Sequence, residues 1–184
     1  MITKIDNALT SFEYRQLLMQ IACGKFQDET NDVDGVVYPL ICRSIPESVT
    51  NSIDSICHKF LGRDAKNVTE FLRASPAGVH CPNPVHHDGS MGEYSLMLYT
   101  SSQGGTAFVA HTELGVSVSC TNQLINDAIA KDSREISKWK TIEYAQAVPN
   151  RVVIFPANLM HAAAPVGGFG EGVMARTVYT RFFS

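Results

Sequence analysis

A mainly β fold with flanking helices, built sheet on sheet, is what this sequence predicts. Two helical segments come first in the chain. From about residue 68 the texture changes to short apolar runs broken by Gly, Pro and Asn. One helical stretch interrupts those runs. Helices first and then many short strands suits two packed sheets, or a barrel, with supporting helices.

The first helix opens at Thr10-Ser11-Phe12-Glu13, a capping box, and runs to Cys23 with Gly24 as its stop. Phe12, Leu18, Ile21 and Ala22 are expected on its buried side. A second helix follows Pro46, with Val49, Ile53, Ile56 and Phe60 at helical spacing and Gly62 at its end. Strands are expected at Val68 to Ala74, Tyr94 to Tyr99, Gly105 to His111, Arg151 to Phe155 and Val173 to Phe183. Between Thr121 and Lys140 the pattern is helical, its apolar face made of Leu124, Ile125, Ala128, Ile129, Ile136 and Trp139. The expected organisation is one domain over residues 1–184. Supporting helices occupy 1–65, the β core 66–184, and a helical insert about 112–148.

Bulk properties exclude several function classes. A net charge of -3 and no run of Lys and Arg argue against a nucleic-acid or membrane-surface binder. No stretch reaches the ~18 apolar residues a membrane span needs. The N-terminus, Met1-Ile2-Thr3-Lys4-Ile5-Asp6, lacks the apolar core of a signal peptide. The five cysteines, Cys23, Cys42, Cys57, Cys81 and Cys120, contain no Cys-x-x-Cys pair. That argues against a disulfide framework or a thiolate zinc site and for a reducing, cytoplasmic setting.

The chemistry concentrates in Pro84-Val85-His86-His87-Asp88-Gly89. In an extended segment His86 and Asp88 point the same way and His87 the other, which offers an imidazole and a carboxylate to one metal. A third ligand must come from elsewhere, and His161 follows the apolar run ending Phe155-Pro156. Two imidazoles and one carboxylate leave the opposite positions of an ion open, an arrangement suited to non-haem iron(II) and dioxygen chemistry. Alone, His-x-Asp is a weak pattern that an exposed polar turn explains as well. Arg176, in the terminal strand, strengthens it, because its fork can grip the far carboxylate of a dicarboxylate cosubstrate.

The order of these pieces resembles the prolyl 4-hydroxylase-like branch of the 2-oxoglutarate and iron(II)-dependent oxygenases. The resemblance rests on His-x-Asp, Leu96-Met97-Leu98-Tyr99, Gly104-Gly105-Thr106-Ala107-Phe108, Arg151-Val152-Val153-Ile154-Phe155-Pro156 leading to His161, and Arg176. It covers about residues 75–184, and Ile5-Asp6-Asn7-Ala8-Leu9 also resembles the family's opening. The resemblance implies a double-stranded β-helix, a cupin-like jelly roll, with the metal at one open end. It implies His86, Asp88 and His161 as iron(II) ligands, Arg176 on the distal carboxylate of 2-oxoglutarate, and Tyr99 touching the same carboxylate. The implied reaction uses 2-oxoglutarate and dioxygen to hydroxylate an unactivated C–H bond, with release of succinate and carbon dioxide. Asp88, in place of Ala or Gly, favours hydroxylation over halogenation. A peptidyl residue or a small molecule is the expected substrate class.

Two features depart from the family pattern. Arg176 follows His161 by 15 positions instead of about ten, a difference that the insert from Pro165 to Gly172 absorbs as a loop. Val178 stands where many members carry a serine. Rival residues remain on the sequence. His111-Thr112-Glu113 is a second His-x-carboxylate pair, and Arg181 competes with Arg176 from the opposite face of one strand. His87 is expected outward, His58 and His80 at the surface or in structural roles, and Cys81 near the site mouth or as an inert buried thiol. The alternative reading is a catalytically inactive binding module on a cupin-like barrel.

Overall fold

The structure, a computed structural model, describes residues 1–30, 35–79, 84–119 and 121–184. Two antiparallel sheets face each other. The larger has the order β1 (Thr3–Ile5), β9 (Arg151–Pro156), β6 (Tyr94–Tyr99), β11 (Arg176–Phe183), β4 (Thr69–Ser75), β3 (Val37–Cys42), β2 (Gln27–Thr30). The smaller runs β5 (Val85–His86), β10 (His161–Ala164), β7 (Gly105–His111), β8 (Trp139–Gln146). This is the jelly roll that the resemblance implies.

Helices α1 (Ser11–Cys23) and α2 (Glu47–Leu61) cover the outer face of the larger sheet. The capping box forms as expected: Glu13 N–H donates to Thr10 Oγ1, and the Glu13 carboxylate accepts from Thr10 N–H at 2.8 Å. The buried side of α1 differs from expectation. Leu17 is buried and Tyr14 and Ile21 pack beside it, whereas Phe12 and Leu18 are exposed and Ala22 faces out. Apolar residues surround much of this helix, so periodicity alone offers two faces, and packing against the sheet selects the Leu17 one. In α2 the expected face is observed, with Val49, Ile53 and Cys57 buried and Gly62 closing the helix at φ 71°.

The central strands are buried on both faces, which is why they read as continuous apolar runs. Leu96, Leu98, Val152, Ile154, Tyr179 and Phe183 pack against the helices. Tyr99, Val153, Phe155 and Val178 meet Phe108 between the sheets. A third cluster joins Val85, Val109, Trp139 and Met160 to Ile129 of α3 (Gln123–Asp132) on the outside of the smaller sheet.

Three further expectations change. Residues 1–65 hold three strands as well as helices: β1, and the β2–β3 hairpin that extends the larger sheet. Gln27-Asp28-Glu29-Thr30 is polar at nearly every position, so it gave no alternation to read. The insert is shorter than 112–148, because β8 pairs with β7 along its whole length and belongs to the core. Its central residues from Lys140 to Tyr144 are exposed, and this masked the strand. Val173 and Met174, expected at the start of the last strand, instead lie in a 3-10 turn, Gly172–Met174.

The loop from Pro165 to Gly172 is seated on β4 as expected of an inserted loop. Phe169 N–H donates to Ser75 O at 3.1 Å. Gly168, at φ 72°, lies so close that a Cβ would sit 2.1 Å from the same oxygen. Among the described residues Cys23, Cys42 and Cys57 are free, and burial pushes the Cys57 thiol up to about 11. No helix among them is long and apolar enough to cross a membrane.

Candidate metal centre

Short strands β5 and β10 build the site. His161 lies directly across from His86 in their antiparallel pairing, and residues opposite one another project to the same face. The two imidazole centroids are 4.5 Å apart. Asp88 lies just beyond β5, where its N–H donates to Ala157 O at 2.7 Å and swings the carboxylate back over the strand end. The same-side relation of His86 and Asp88 therefore holds although the strand stops at His86.

The carboxylate bridges the two rings. Asp88 Oδ1 is 3.7 Å from His86 Nε2, and Oδ2 is 3.4 Å from His161 Nε2. One donor atom from each of the three residues lies within 4.8 Å of the others. Ligands held at about 2.1 Å from a common ion stand roughly 3 to 4 Å apart, so this spacing fits a metal better than direct hydrogen bonds.

The hydrogen bonds around the trio orient it. His161 Nδ1 lies 2.9 Å from the Leu159 carbonyl, which accepts its proton and leaves the lone pair on Nε2. That Nε2 is buried with no hydrogen-bond partner. A buried nitrogen lone pair aimed at a carboxylate and a second imidazole is what a cation would satisfy. Ser95 Oγ donates to Asp88 Oδ2 at 2.8 Å and fixes that carboxylate. Phe155 packs edge-on against His161 with centroids 4.9 Å apart, holding the ring. Burial, with His161 adding to it against the pull of Asp88, lowers His86 to about 4, and Arg73 contributes in the same direction as burial. His86 is thus a neutral imidazole near neutral pH, as a metal ligand must be.

Arg176, His86, Asp88 and His161 line one cavity of about 620 Å³, within the usual span of small-molecule sites. Arg176 is buried and its Nη2 donates to Gly105 O at 3.3 Å. Alternation along β11 turns Arg176, Val178, Thr180 and Phe182 toward this cavity. Arg181 faces the helices instead, bound to Glu70 at 3.1 Å and to Asp54. His111 belongs to neither group. Its Nε2 lies 3.0 Å from Asp132 and its ring packs on Trp139, while Glu113 pairs with Lys138. His87 is exposed at the cavity rim, and His58 forms a surface pair with Asp64. His80, Cys81 and Cys120 lie outside the described residues.

Tyr99 is not among the residues that line the cavity. It is fully buried in the core between the sheets, and its hydroxyl donates to Thr106 Oγ1 at 2.8 Å. Thr106 lines the cavity, with Tyr99 behind it.

No protein-family model and no curated protein matches the chain. Solved structures do resemble it. A prolyl-4-hydroxylase from Pseudomonas putida superposes with a TM-score of 0.58 at 15% identity, over 99% of this chain and 91% of that one. A 2OG-Fe(II) oxygenase family oxidoreductase from Burkholderia pseudomallei gives 0.57 at 11% identity, over 100% and 84%. EvdO2 from Micromonospora carbonacea var. aurantiaca, complexed with 2-oxoglutarate, gives 0.53 at 13% identity, over 99% and 85%. The fold is that of the 2OG-Fe(II) oxygenases. On this oxygenase fold the described residues bring together one three-ligand group, and it is His86, Asp88 and His161.

Sequence reasoning did not single out Ser95, Thr106 or Arg73. Ser95 had a signal: it is the one small hydroxyl in the apolar run Tyr94–Tyr99. Arg73 had one too, a charge in the middle of an otherwise alternating strand.

Proposed function

We propose that the protein is a 2-oxoglutarate- and iron(II)-dependent dioxygenase that hydroxylates an unactivated C–H bond. The observation that supports this best is the buried, partnerless Nε2 of His161, aimed at Asp88 and His86. Two nitrogens and one carboxylate oxygen on one side of an ion are the donor set of non-haem iron(II) oxygenases. When bound, iron(II) with 2-oxoglutarate supplies the oxidising power, and succinate and carbon dioxide leave as by-products.

The chain's own residues bind, orient and exclude water. His86 and His161 present imidazole nitrogens, and Asp88 offers one oxygen while Ser95 holds the other. Arg176 takes the distal carboxylate of 2-oxoglutarate at the far end of the same cavity wall, where its planar fork matches two carboxylate oxygens. Thr106, oriented by Tyr99, adds a hydroxyl beside that position. Val178 and Met97 keep the intervening wall apolar, so the polar contacts are made only at the two ends of the cosubstrate. The helix α3 contributes Asn126 and Ile129 to the cavity, and Ser133 at its C-cap joins them, which makes the shortened insert a substrate-facing wall.

An anaerobic titration tests the reading. Wild-type protein is expected to bind Mn(II) as an iron surrogate, and 2-oxoglutarate with it. Asp88→Ala and His161→Ala should weaken the metal by at least about 100-fold, since even outer partners of metal ligands are worth about 10 to 100-fold. Variants that bind both as well as wild type would refute the assignment.

A further inference from the structure

The cavity holds a second arginine that the proposed chemistry does not use. Arg73 lies in β4, across from Val178 on one side and Ile41 on the other, and lines the cavity together with Phe71. The carbon at the centre of its guanidinium is 5.6 Å from the centroid of the Tyr38 ring, a cation–π placement that holds the side chain over the β2–β3 hairpin. Its Nε is buried and has no hydrogen-bond partner.

Other arginines of the chain have found carboxylates. Arg43 grips Glu29 with two nitrogens, Arg151 grips Asp6, and Arg181 takes Glu70 and Asp54. Among the described residues no carboxylate pairs with Arg73. Glu29, which lines the cavity from the neighbouring hairpin, is already paired with Arg43. A half-buried guanidinium whose Nε has no partner, lining a cavity that also holds the metal ligands, is completed by an anion.

The geometry points to Arg73 as the anchor for an anionic oxygen group, carboxylate or phosphate, on a small-molecule substrate. This rests on the oxygenase reading and deepens it. The site is distinct from the cosubstrate's clamp. Arg176 pairs with Ser75, two residues along β4 from Arg73, and reaches Gly105 on the smaller sheet, whereas Arg73 leans toward Tyr38 at the hairpin end. Anchored there, an anion would leave the rest of its molecule to extend across Val178 and Thr180 toward His86, with Phe71 and Phe182 as apolar walls.

Saturation-transfer NMR on the full chain with benzoate, phenyl phosphate and neutral benzyl alcohol as probes decides this. Arg73→Met, Arg176→Met and the double variant are compared with wild type, and Mn(II) with 2-oxoglutarate is titrated in parallel. The expected result is transfer to both anions, retained in Arg176→Met, reduced roughly tenfold in affinity in Arg73→Met and absent in the double variant. The affinity for 2-oxoglutarate should follow Arg176 and not Arg73. Three outcomes would each overturn the proposal: no transfer to either anion in wild type, equal transfer to benzyl alcohol, or loss on Arg176→Met with none on Arg73→Met. Should Arg73→Met melt early, Arg73→Gln is read in the same way. Because the probes need no metal, a failure to bind Mn(II) and 2-oxoglutarate would count against the oxygenase reading alone.

Discussion

The two faces of β11 set two buried arginines in unlike company. Arg181, turned toward α2, meets Glu70 and Asp54, and Glu70 also accepts from Tyr179 at 2.6 Å and Thr50 at 2.8 Å. Burial and the neighbouring Glu70 hold the Tyr179 phenol well above its ordinary value, so it stays a proton donor in this network. Arg176, five residues earlier on the cavity face, reaches a backbone carbonyl at 3.3 Å. One arginine closes a network that welds helix to sheet; the other faces a space sized for a ligand. Residue type and burial are the same in both, so the assignment of function depends on what surrounds each guanidinium.

The strongest way to break this comparison is to exchange the losses. Arg181→Met leaves Glu70 and Asp54 without their cation, and removing one partner of a buried pair costs about 3–5 kcal/mol. Asp54 is half exposed, so the expected loss lies near the lower end, about 3 kcal/mol. Urea unfolding measures it. The folded fraction should keep its metal and 2-oxoglutarate affinities. Arg176→Met should show the reverse, with stability within about 1 kcal/mol of wild type and 2-oxoglutarate binding largely lost. Equal destabilisation by both would make Arg176 another structural arginine.

That contrast also shows what the sequence could and could not carry. Strand parity separates Arg176 from Arg181, because alternation is a property of the extended backbone itself, whereas the shared side of His86 and Asp88 is secured beyond the strand end by the Asp88–Ala157 contact. The doubly buried strands β6 and β9 were legible as apolar runs, and α1 and α2 from their caps and spacing. β2 and β8 were not, since edge strands with solvent on one side carry polar residues that no local rule assigns to a sheet, and in β3 Pro39 interrupts an otherwise apolar run. This gap hid the cavity wall on which Tyr38, and through it Arg73, depends. The buried side of α1 was misread for a related reason: tertiary packing chose between two apolar faces.

A smaller effect is expected on the cavity face from Ser95→Ala. The hydroxyl fixes Asp88 Oδ2, and losing such an outer partner weakens metal binding by about tenfold. Stability should change little in the metal-free protein, because the site is small and the methyl group remains. The measurement is the Mn(II) dissociation constant together with the melting temperature with and without metal. A variant whose metal affinity is unchanged would mean that Asp88 is positioned by the Ala157 backbone contact alone.

The mildest substitution bears on how the cosubstrate end is built. Tyr99 was expected to touch the distal carboxylate, yet its hydroxyl is spent on Thr106 Oγ1, with Ala145 O at 3.4 Å as a second acceptor. Tyr99→Phe keeps the ring in the core and removes only that hydrogen bond, so stability should fall by about 1 kcal/mol. If Tyr99 acts only by orienting Thr106, the 2-oxoglutarate dissociation constant should rise about two- to threefold, well short of the roughly tenfold or more that loss of a direct bond to a charged group brings. Thr106→Val should then match it, and the double variant should add nothing further, because both changes remove the same oriented hydroxyl. A large effect from Tyr99→Phe with none from Thr106→Val would instead return Tyr99 to the carboxylate and require its side chain to turn toward the cavity when the cosubstrate binds.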